Sequence, residues 1–489
     1  MASTRFPDIA DDARFDLLID GVSRAGSEAG EFACHDPFED RPWGRIAIAS
    51  DADVDEAVQS ARRAFASWSR MLPAARGKIL RAFGALIEAH NEELARLQVH
   101  ENGKTIAEMR SATGTVAADA IFFATLAELP LGHTFDANIP GHQLWTRREA
   151  IGVVAAITPW NNPLGLLGWK LFPALAAGNC VIVKPSEVTP ASTVRLVQLG
   201  LQAGLPPGVL NVVTGFGATG AALANHPDVD KIAFTGSTAT GKLIARAGIE
   251  RMARVTLELG GKSPNIVFAD ADLDKAIPGL LKGITAGTGQ ACNAGSRLLI
   301  EDSIYDEVRG RLLEMAPTLR IGDPLDPAVD MGPIASRPQY EKVLGYIDLA
   351  KQEGHSLLTG GGRPDGAEFE RGFFVAPTLY DGVPNDSRLA REEIFGPVGA
   401  MMRFTDEEEA VGIANDSAFG LVAGLWSRDV GRVHRVINKL RAGTIWANTW
   451  RVVNHQAGFG GFKQSGLGRE LGVNALEAYT EAKSVWLGN

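Results

Sequence analysis

The sequence predicts an α/β protein built on a doubly wound parallel sheet, with a second α/β portion behind it. Two observations carry the prediction. Between residues 150 and 259, short β-rich runs alternate with helical segments, the pattern of a parallel sheet covered by helices on both faces. After Gly260 the alternation resumes with fresh runs, while a helical stretch precedes the first sheet. At 489 residues, 45% hydrophobic and 22% charged, the chain is of ordinary globular composition and long enough for about 2–4 domains.

Taken in order, residues up to Ile48 form a strand-rich lead-in with turn residues in LLIDG and PFEDRPWG. Val54, Ala57, Val58, Ala61, Ala64, Phe65 and Trp68 recur at helical spacing, with Asp51 and Asp53 as candidate caps. Residues 75–99 read as one longer helix and 104–126 as another. From 129 to 149 the composition shifts to Gly, Pro, Thr and His, an extended excursion. Strands are expected at 150–158, 180–184, 210–214, 231–234 and 255–259, separated by helices at 166–176, 191–202, 219–225 and 241–252. The second portion offers helices at 273–286, 304–315, 337–353, 407–415 and 430–440, with strands at 296–301, 374–379, 399–404 and 443–447. No internal repeat or low-complexity tract interrupts this.

Composition excludes several classes. Forty-eight Lys and Arg against 58 Asp and Glu give a formal charge of −10 with no basic stripe, which argues against nucleic acid as a partner. The N-terminal MASTRFPDIADDARFD lacks an apolar signal core, and no apolar run reaches the ~18 residues a bilayer requires, so a cytoplasmic protein without membrane contact is expected. Three widely spaced cysteines imply no disulfide framework. None of the nine histidines sits in an HExxH-like cluster, and no catalytic metal is expected.

One of those cysteines stands apart. Cys292, in GQACNAGSRLLI, is flanked by small and polar residues that suit a tight turn whose amides face a reacting centre, whereas a structural cysteine usually sits in an apolar run. Glu258 ends the strand-like run of RVTLELGG, and Gly260 and Gly261 turn the chain directly after it. A thiol and a carboxylate supply a nucleophile and a general base. Lys184 and Glu187 in KPSE follow a strand, where open α/β sheets bind nucleotides. A carboxylate there accepts from both ribose hydroxyls and repels a 2′-phosphate, which favours NAD over NADP. The literal GxGxxG at Gly215, Gly217 and Gly220 follows a strand, but a lone match has a high false-positive rate and is read mainly as a turn. Gly236 to Gly241 opens a helix whose N-terminus attracts anions.

Seven stretches in order, TPWNNPL, AGNCVIVKPSEVTP, FTGST, LELGGKSPNIV, GQACNAGSR, EEIFGPV and FGGFKQSGLGRELG, resemble the NAD(P)-dependent aldehyde dehydrogenase superfamily, of the non-acylating, hydrolytic type. The resemblance implies a Rossmann-type cofactor domain (1–128 and 150–259), a catalytic domain (260–448), a small β oligomerisation arm (129–149 and 472–489) and a substrate-entrance loop returning to the cofactor domain (449–471). It implies Cys292 as nucleophile and Glu258 as the base for thioester hydrolysis. The oxyanion would be held by Asn161 and the Cys292 amide, donors commonly worth ~3–4 kcal/mol each. Lys170 and Glu470 match positions of a proton relay, with a structural ion pair as the competing reading. The implied cofactor contacts are Trp160, Lys184, Ser186, Glu187, Gly217, Phe234, Gly236, Ser237, Leu259, Glu393 and Phe395. The implied substrate pocket comprises Asn162, Trp169, Ala291, Asn293, Trp450 and Phe459, an apolar tunnel with polar spots suited to a medium-length aliphatic or an aromatic aldehyde. Arg451 and His455 lie in the entrance loop, where an arginine has the chemistry to hold a substrate carboxylate. A homodimer or homotetramer is implied.

Three rival readings differ in chemistry. A CoA-acylating relative is disfavoured by a hydrolytic base at Glu258. A non-catalytic protein on the same fold would be expected to lose the thiol or the carboxylate. A cysteine hydrolase would need a partnered histidine that no motif supplies.

Overall fold

The computed structural model describes residues 6, 9–10, 12–27, 30–129 and 132–488; residues 130, 131 and 489 of the expected arm lie outside them. Five parallel strands form the centre of an eight-stranded sheet, in the order Arg254–Glu258, Lys231–Thr235, Val153–Ile157, Cys180–Lys184, Leu210–Val212. The last four of these are buried along their whole length, as strands covered on both faces must be. The chain winds outward from Val153–Ile157 to Leu210–Val212 and then crosses back to Lys231–Thr235 on the other side of its starting strand. That reversal sets a topological switch point beyond Ile157 and Thr235, where the two connections leave in opposite directions and open a crevice.

Antiparallel additions close both edges of this sheet. Leu17–Ile19 pairs with Leu210–Val212, and Gly466–Leu467, from the C-terminal region, pairs with Arg254–Glu258. The second sheet runs Ser356–Thr359, Thr378–Asp381, Val398–Phe404, Arg297–Glu301, Pro264–Val267, Val422–Trp426, Thr444–Ala447, parallel except at its first strand. Only Leu259 to Ser263 separates the two sheets, so the turn after Glu258 carries the chain from one to the other. A third sheet joins Thr480–Gly488 to His142–Ala150 over nine antiparallel pairs, with Thr134–Phe135 on its far side.

Three expectations need correction. Residues 75–99 are two helices, Pro73–Ala89 and Asn91–Asn102, broken where His90 leaves helical dihedrals (φ −104°, ψ 20°). The strand expected at 374–379 is Thr378–Asp381, displaced toward the C-terminus. Two central strands, Pro264–Val267 and Val422–Trp426, were not anticipated. Among the described residues no helix is long and apolar enough to cross a membrane.

Candidate active site

The site is assembled by chain turns at the ends of parallel strands. Val153–Ile157 delivers Trp160 and Asn161, and Lys231–Thr235 delivers Gly236 and Ser237. Both pairs line a cleft of about 140 Å³ that also takes in Leu259, Gly260, Cys292, Gln339, Lys342, Glu393 and Phe395. Residues from five distant stretches of the sequence-predicted set therefore meet in one crevice at the switch point.

Cys292 stands on a turn that its neighbours hold firmly. Gly287, Thr288 and Gly289 all adopt left-handed dihedrals (φ 61°, 56° and 69°), a conformation costly for threonine and retained where surrounding contacts enforce it. Gln290 supplies those contacts: the Ala335 amide donates to its Oε1 at 2.8 Å, and its Nε2 donates to the Gly287 carbonyl at 3.3 Å. Asn161 Nδ2 donates to the Gln290 carbonyl at 3.1 Å, which fixes the Asn161 amide two residues from the thiol. On the other flank, a Cβ on Gly261 would come 2.4 Å from the Cys292 carbonyl oxygen, so the inter-sheet turn packs directly on the nucleophile.

Burial pushes the Cys292 thiol up to about 12, with Glu393 and Glu258 adding to the rise and Arg451 and Lys104 opposing it. Glu258 is 4% exposed and neither carboxylate oxygen has a hydrogen-bond partner. Burial first, and then the negative charge of Glu470, hold its pKa well above the usual carboxylate range, while Lys170 pulls it down. Lys170 is fully buried; its ammonium donates to Glu470 Oε1 and to Thr235 Oγ1, each at 2.5 Å. Glu470 Oε2 is left without a partner, so the ion pair does not exhaust the carboxylate.

The remaining predicted residues fall in two groups. Lys184 and Glu187 lie 3.7 Å apart at the end of Cys180–Lys184, with Ser186 Oγ donating to Glu187 at 3.4 Å. Gly217 begins the helix Gly217–Asn225, close to this corner because Gly220 lies against the Lys184 side chain. Ser237 caps the helix Thr238–Ile249, accepting from the Thr240 amide at 3.2 Å. Phe234 is buried in its strand, and Glu393 accepts from the Gly261 amide at 2.8 Å. Phe395, itself left-handed (φ 63°), meets Trp160 edge-on at 5.3 Å.

On the substrate side, Trp169 and Phe459 meet at 5.2 Å. Asn162 is the N-cap residue of Pro163–Ala177 and makes no capping bond, its Oδ1 buried and unpartnered. Ala291 is buried and Asn293 half-buried beside the thiol. Trp450 packs beneath the cysteine turn, its ring occupying space that Cβ atoms on Gly295 and Gly424 would need, 2.6 and 2.2 Å away. The sequence reading missed Gln339 and Lys342, which approach from the helix Arg337–Gln352, and Gln290, whose role is visible only once the turn is folded. Among the described residues no group of three or more His, Cys, Asp or Glu is placed to hold a metal ion.

The model of the aldehyde dehydrogenase family matches residues 24–485. The chain belongs to that family. It is 44% identical over 435 residues to a betaine aldehyde dehydrogenase of Mesorhizobium japonicum, covering 89% of each protein. An aldehyde dehydrogenase of Aspergillus niger is 42% identical over 472 residues, 96% of this chain and 94% of the relative. A crystal structure of betaine aldehyde dehydrogenase from Staphylococcus aureus in complex with NAD+ superposes with a TM-score of 0.95 at 37% identity, covering 97% of this chain and 95% of that one. The likeness to enzymes named as aldehyde dehydrogenases thus extends over the whole architecture and is not confined to a single motif.

Proposed function

We propose that the chain is an NAD-dependent, hydrolytic aldehyde dehydrogenase that converts an aldehyde with an aliphatic or aromatic body into its carboxylic acid. The observation that carries the reading is the cleft at the sheet's switch point, which brings a thiol, the Asn161 amide and a helix N-terminus together, while Glu258, buried and unpartnered, acts electrostatically on that thiol.

The donor set fits NAD. Glu187 presents an exposed carboxylate at the end of a parallel strand, suited to ribose hydroxyls and unsuited to an added phosphate. The first turn of Thr238–Ile249 offers free amides and a positive dipole end to a pyrophosphate. Gln339, Lys342 and Glu393 supply polar partners to the cleft, and Trp160 and Phe395 supply apolar surface. When bound, NAD provides the hydride acceptor that turns the tetrahedral adduct on Cys292 into a thioester.

Every other step belongs to the chain's own residues. Cys292 attacks the aldehyde carbon, and its proton needs an acceptor because burial keeps the thiol protonated at neutral pH. Glu258 has the chemistry for that task, since burial raises its own proton affinity. The oxyanion forms beside Asn161, whose amide is fixed by the Gln290 carbonyl and keeps one N–H free. Glu258 then takes a proton from the water that hydrolyses the thioester, and Glu470 with Lys170 supplies a buried route by which it is released. The arm formed by Thr480–Gly488 and His142–Ala150 leaves Phe135, Trp486 and Leu487 about half exposed, which supports assembly with further copies of the chain.

The test is NADH formation from hexanal, benzaldehyde, betaine aldehyde and succinate semialdehyde, with and without CoA. Production without CoA supports the hydrolytic reading. A strict need for CoA would replace it with acyl transfer to that thiol.

A further inference from the structure

Two cations converge on the cysteine turn and neither is used by the mechanism above. Lys104 is buried, with 4% of its surface exposed, and follows the helix Asn91–Asn102. Its ammonium lies against Gly287, where a Cβ would come within 2.9 Å of Nζ. Arg451 reaches the same turn from the entrance loop, its Nη1 donating to the Ala286 carbonyl at 2.8 Å. It is held there by a left-handed backbone (φ 62°), the third non-glycine residue of the site in that conformation after Thr288 and Phe395.

Neither Lys104 nor Arg451 has an ion-pair partner within 4.0 Å among the described residues. The acid closest to hand, Glu108, is engaged elsewhere: its Oε1 accepts from the Gly287 amide at 2.7 Å and its Oε2 accepts from the Thr105 hydroxyl at 3.3 Å. A second acid of this region, Asp119, is fully buried and lies 3.8 Å from His455, further along the entrance loop. Glu108 still acts electrostatically on Lys104, yet burial lowers the pKa of the ammonium to about 8, so an anion placed between the two cations would be favoured. Both cations lie against the turn Ala286–Gly289 that leads into Cys292, and both act electrostatically on its thiol, so an anion held between them would sit beside that turn.

We propose that Arg451 and Lys104 form an anion subsite beside the nucleophile, and that this enzyme's preferred substrates are aldehydes carrying a carboxylate at their far end. The proposal rests on the aldehyde dehydrogenase reading and adds to it a charge preference. It also sets this chain apart from relatives named for betaine aldehyde, whose substrate carries a fixed positive charge that two unpaired cations would repel.

A competing role, in which the cations only favour the Cys292 thiolate, makes a different forecast and is separated by a matched pair of substrates. Succinate semialdehyde and its methyl ester, methyl 4-oxobutanoate, have the same aldehyde and nearly the same length, and differ in the charge. Wild-type enzyme is expected to prefer the semialdehyde in kcat/KM. In Arg451→Gln that preference falls by about 10²-fold through KM, as expected when one partner of a desolvated charge pair is lost. Lys104→Met lowers it in the same direction, and Arg451→Glu raises the relative kcat/KM for betaine aldehyde. Equal losses on both substrates in Arg451→Gln, or a wild-type preference for the ester, would overturn the subsite. A binding readout separates this from failure of the dehydrogenase reading. Succinate is expected to slow alkylation of Cys292 by iodoacetamide in wild type and not in Arg451→Gln. Such protection in a protein that forms no NADH from any aldehyde would uphold the anion site while removing the proposed activity; no protection in an active enzyme would do the reverse.

Discussion

Glu258 gives the sharpest expectation at the scale of single residues. Glu258→Gln keeps the shape of the side chain and removes its basicity, so the acyl-enzyme should form more slowly, because Cys292 loses its proton acceptor, and should then persist, because hydrolysis slows further. Stopped-flow NADH should show a burst of up to one equivalent per site followed by turnover slowed ~10²–10⁴-fold; normal steady-state turnover would remove the base assignment. The pH profile carries a second test. Because burial and Glu470 raise the pKa of Glu258, and because a base works only when deprotonated, hydrolysis should rise with pH through that raised value. Glu470→Gln deletes the like charge and leaves Lys170 in place, so the rise should move to lower pH by on the order of one unit. The same variant strands a buried ammonium and should lower stability by roughly 3–5 kcal/mol. A profile that stays put while stability falls would make the pair a structural ion bridge and nothing more. At this scale Cys292 and Glu258 are legible in the sequence as candidates because their neighbours are unusual for a core thiol or a surface carboxylate. Lys104, Gln339 and Lys342 were not, since a polar side chain on or beside a helix reads as solvated surface until the fold shows what it faces.

Among elements, the turn from Leu259 to Ser263 links the two sheets and presses on the nucleophile. Gly261→Ala would put its Cβ 2.4 Å from the Cys292 carbonyl oxygen, a backbone atom that cannot swing aside. The cysteine turn is already left-handed at three successive residues, so it has little freedom to absorb the push. We expect the variant to fold, with stability lowered by about 1–3 kcal/mol, while displacement of the thiol costs ~10²-fold or more in NADH formation. Activity within a few-fold of wild type would show that the turn tolerates the shift and that its fit against Cys292 is incidental. The elements themselves were read with uneven success for local reasons. Cys180–Lys184, Ala191–Gln202 and Glu407–Asn415 match their expected bounds because burial and periodicity coincide there. Pro264–Val267 was hidden by its proline, which a parallel ladder tolerates at the first position, where Pro264 pairs with Arg297. Val422–Trp426 was hidden by Gly424, whose missing side chain makes room for Trp450.

For the whole molecule, the instructive feature is how the C-terminal region serves two sheets at once. Gly466–Leu467 completes the edge of the eight-stranded sheet beside Glu258, and Glu470 reaches Lys170 only three residues later. After Tyr479, whose carbonyl accepts from Asn179 at 2.9 Å, the chain leaves the core and runs out along His142–Ala150. The molecule is therefore anchored up to Tyr479 and projects an amphipathic ribbon beyond it. That division permits a clean experiment. Removing residues 483–489 spares Tyr479, Thr480 and every strand of the two large sheets, and deletes Trp486 and Leu487, which are 53% and 51% exposed in a single chain. A two- or three-stranded ribbon with such an apolar surface is marginal in water unless something covers it. We expect the truncated protein to keep its fold by circular dichroism and to fall in assembly size by light scattering, to half or less of the full-length mass. An unchanged mass would place the contact between copies elsewhere on the molecule, and would leave the ribbon's apolar edge as a surface in search of a different partner.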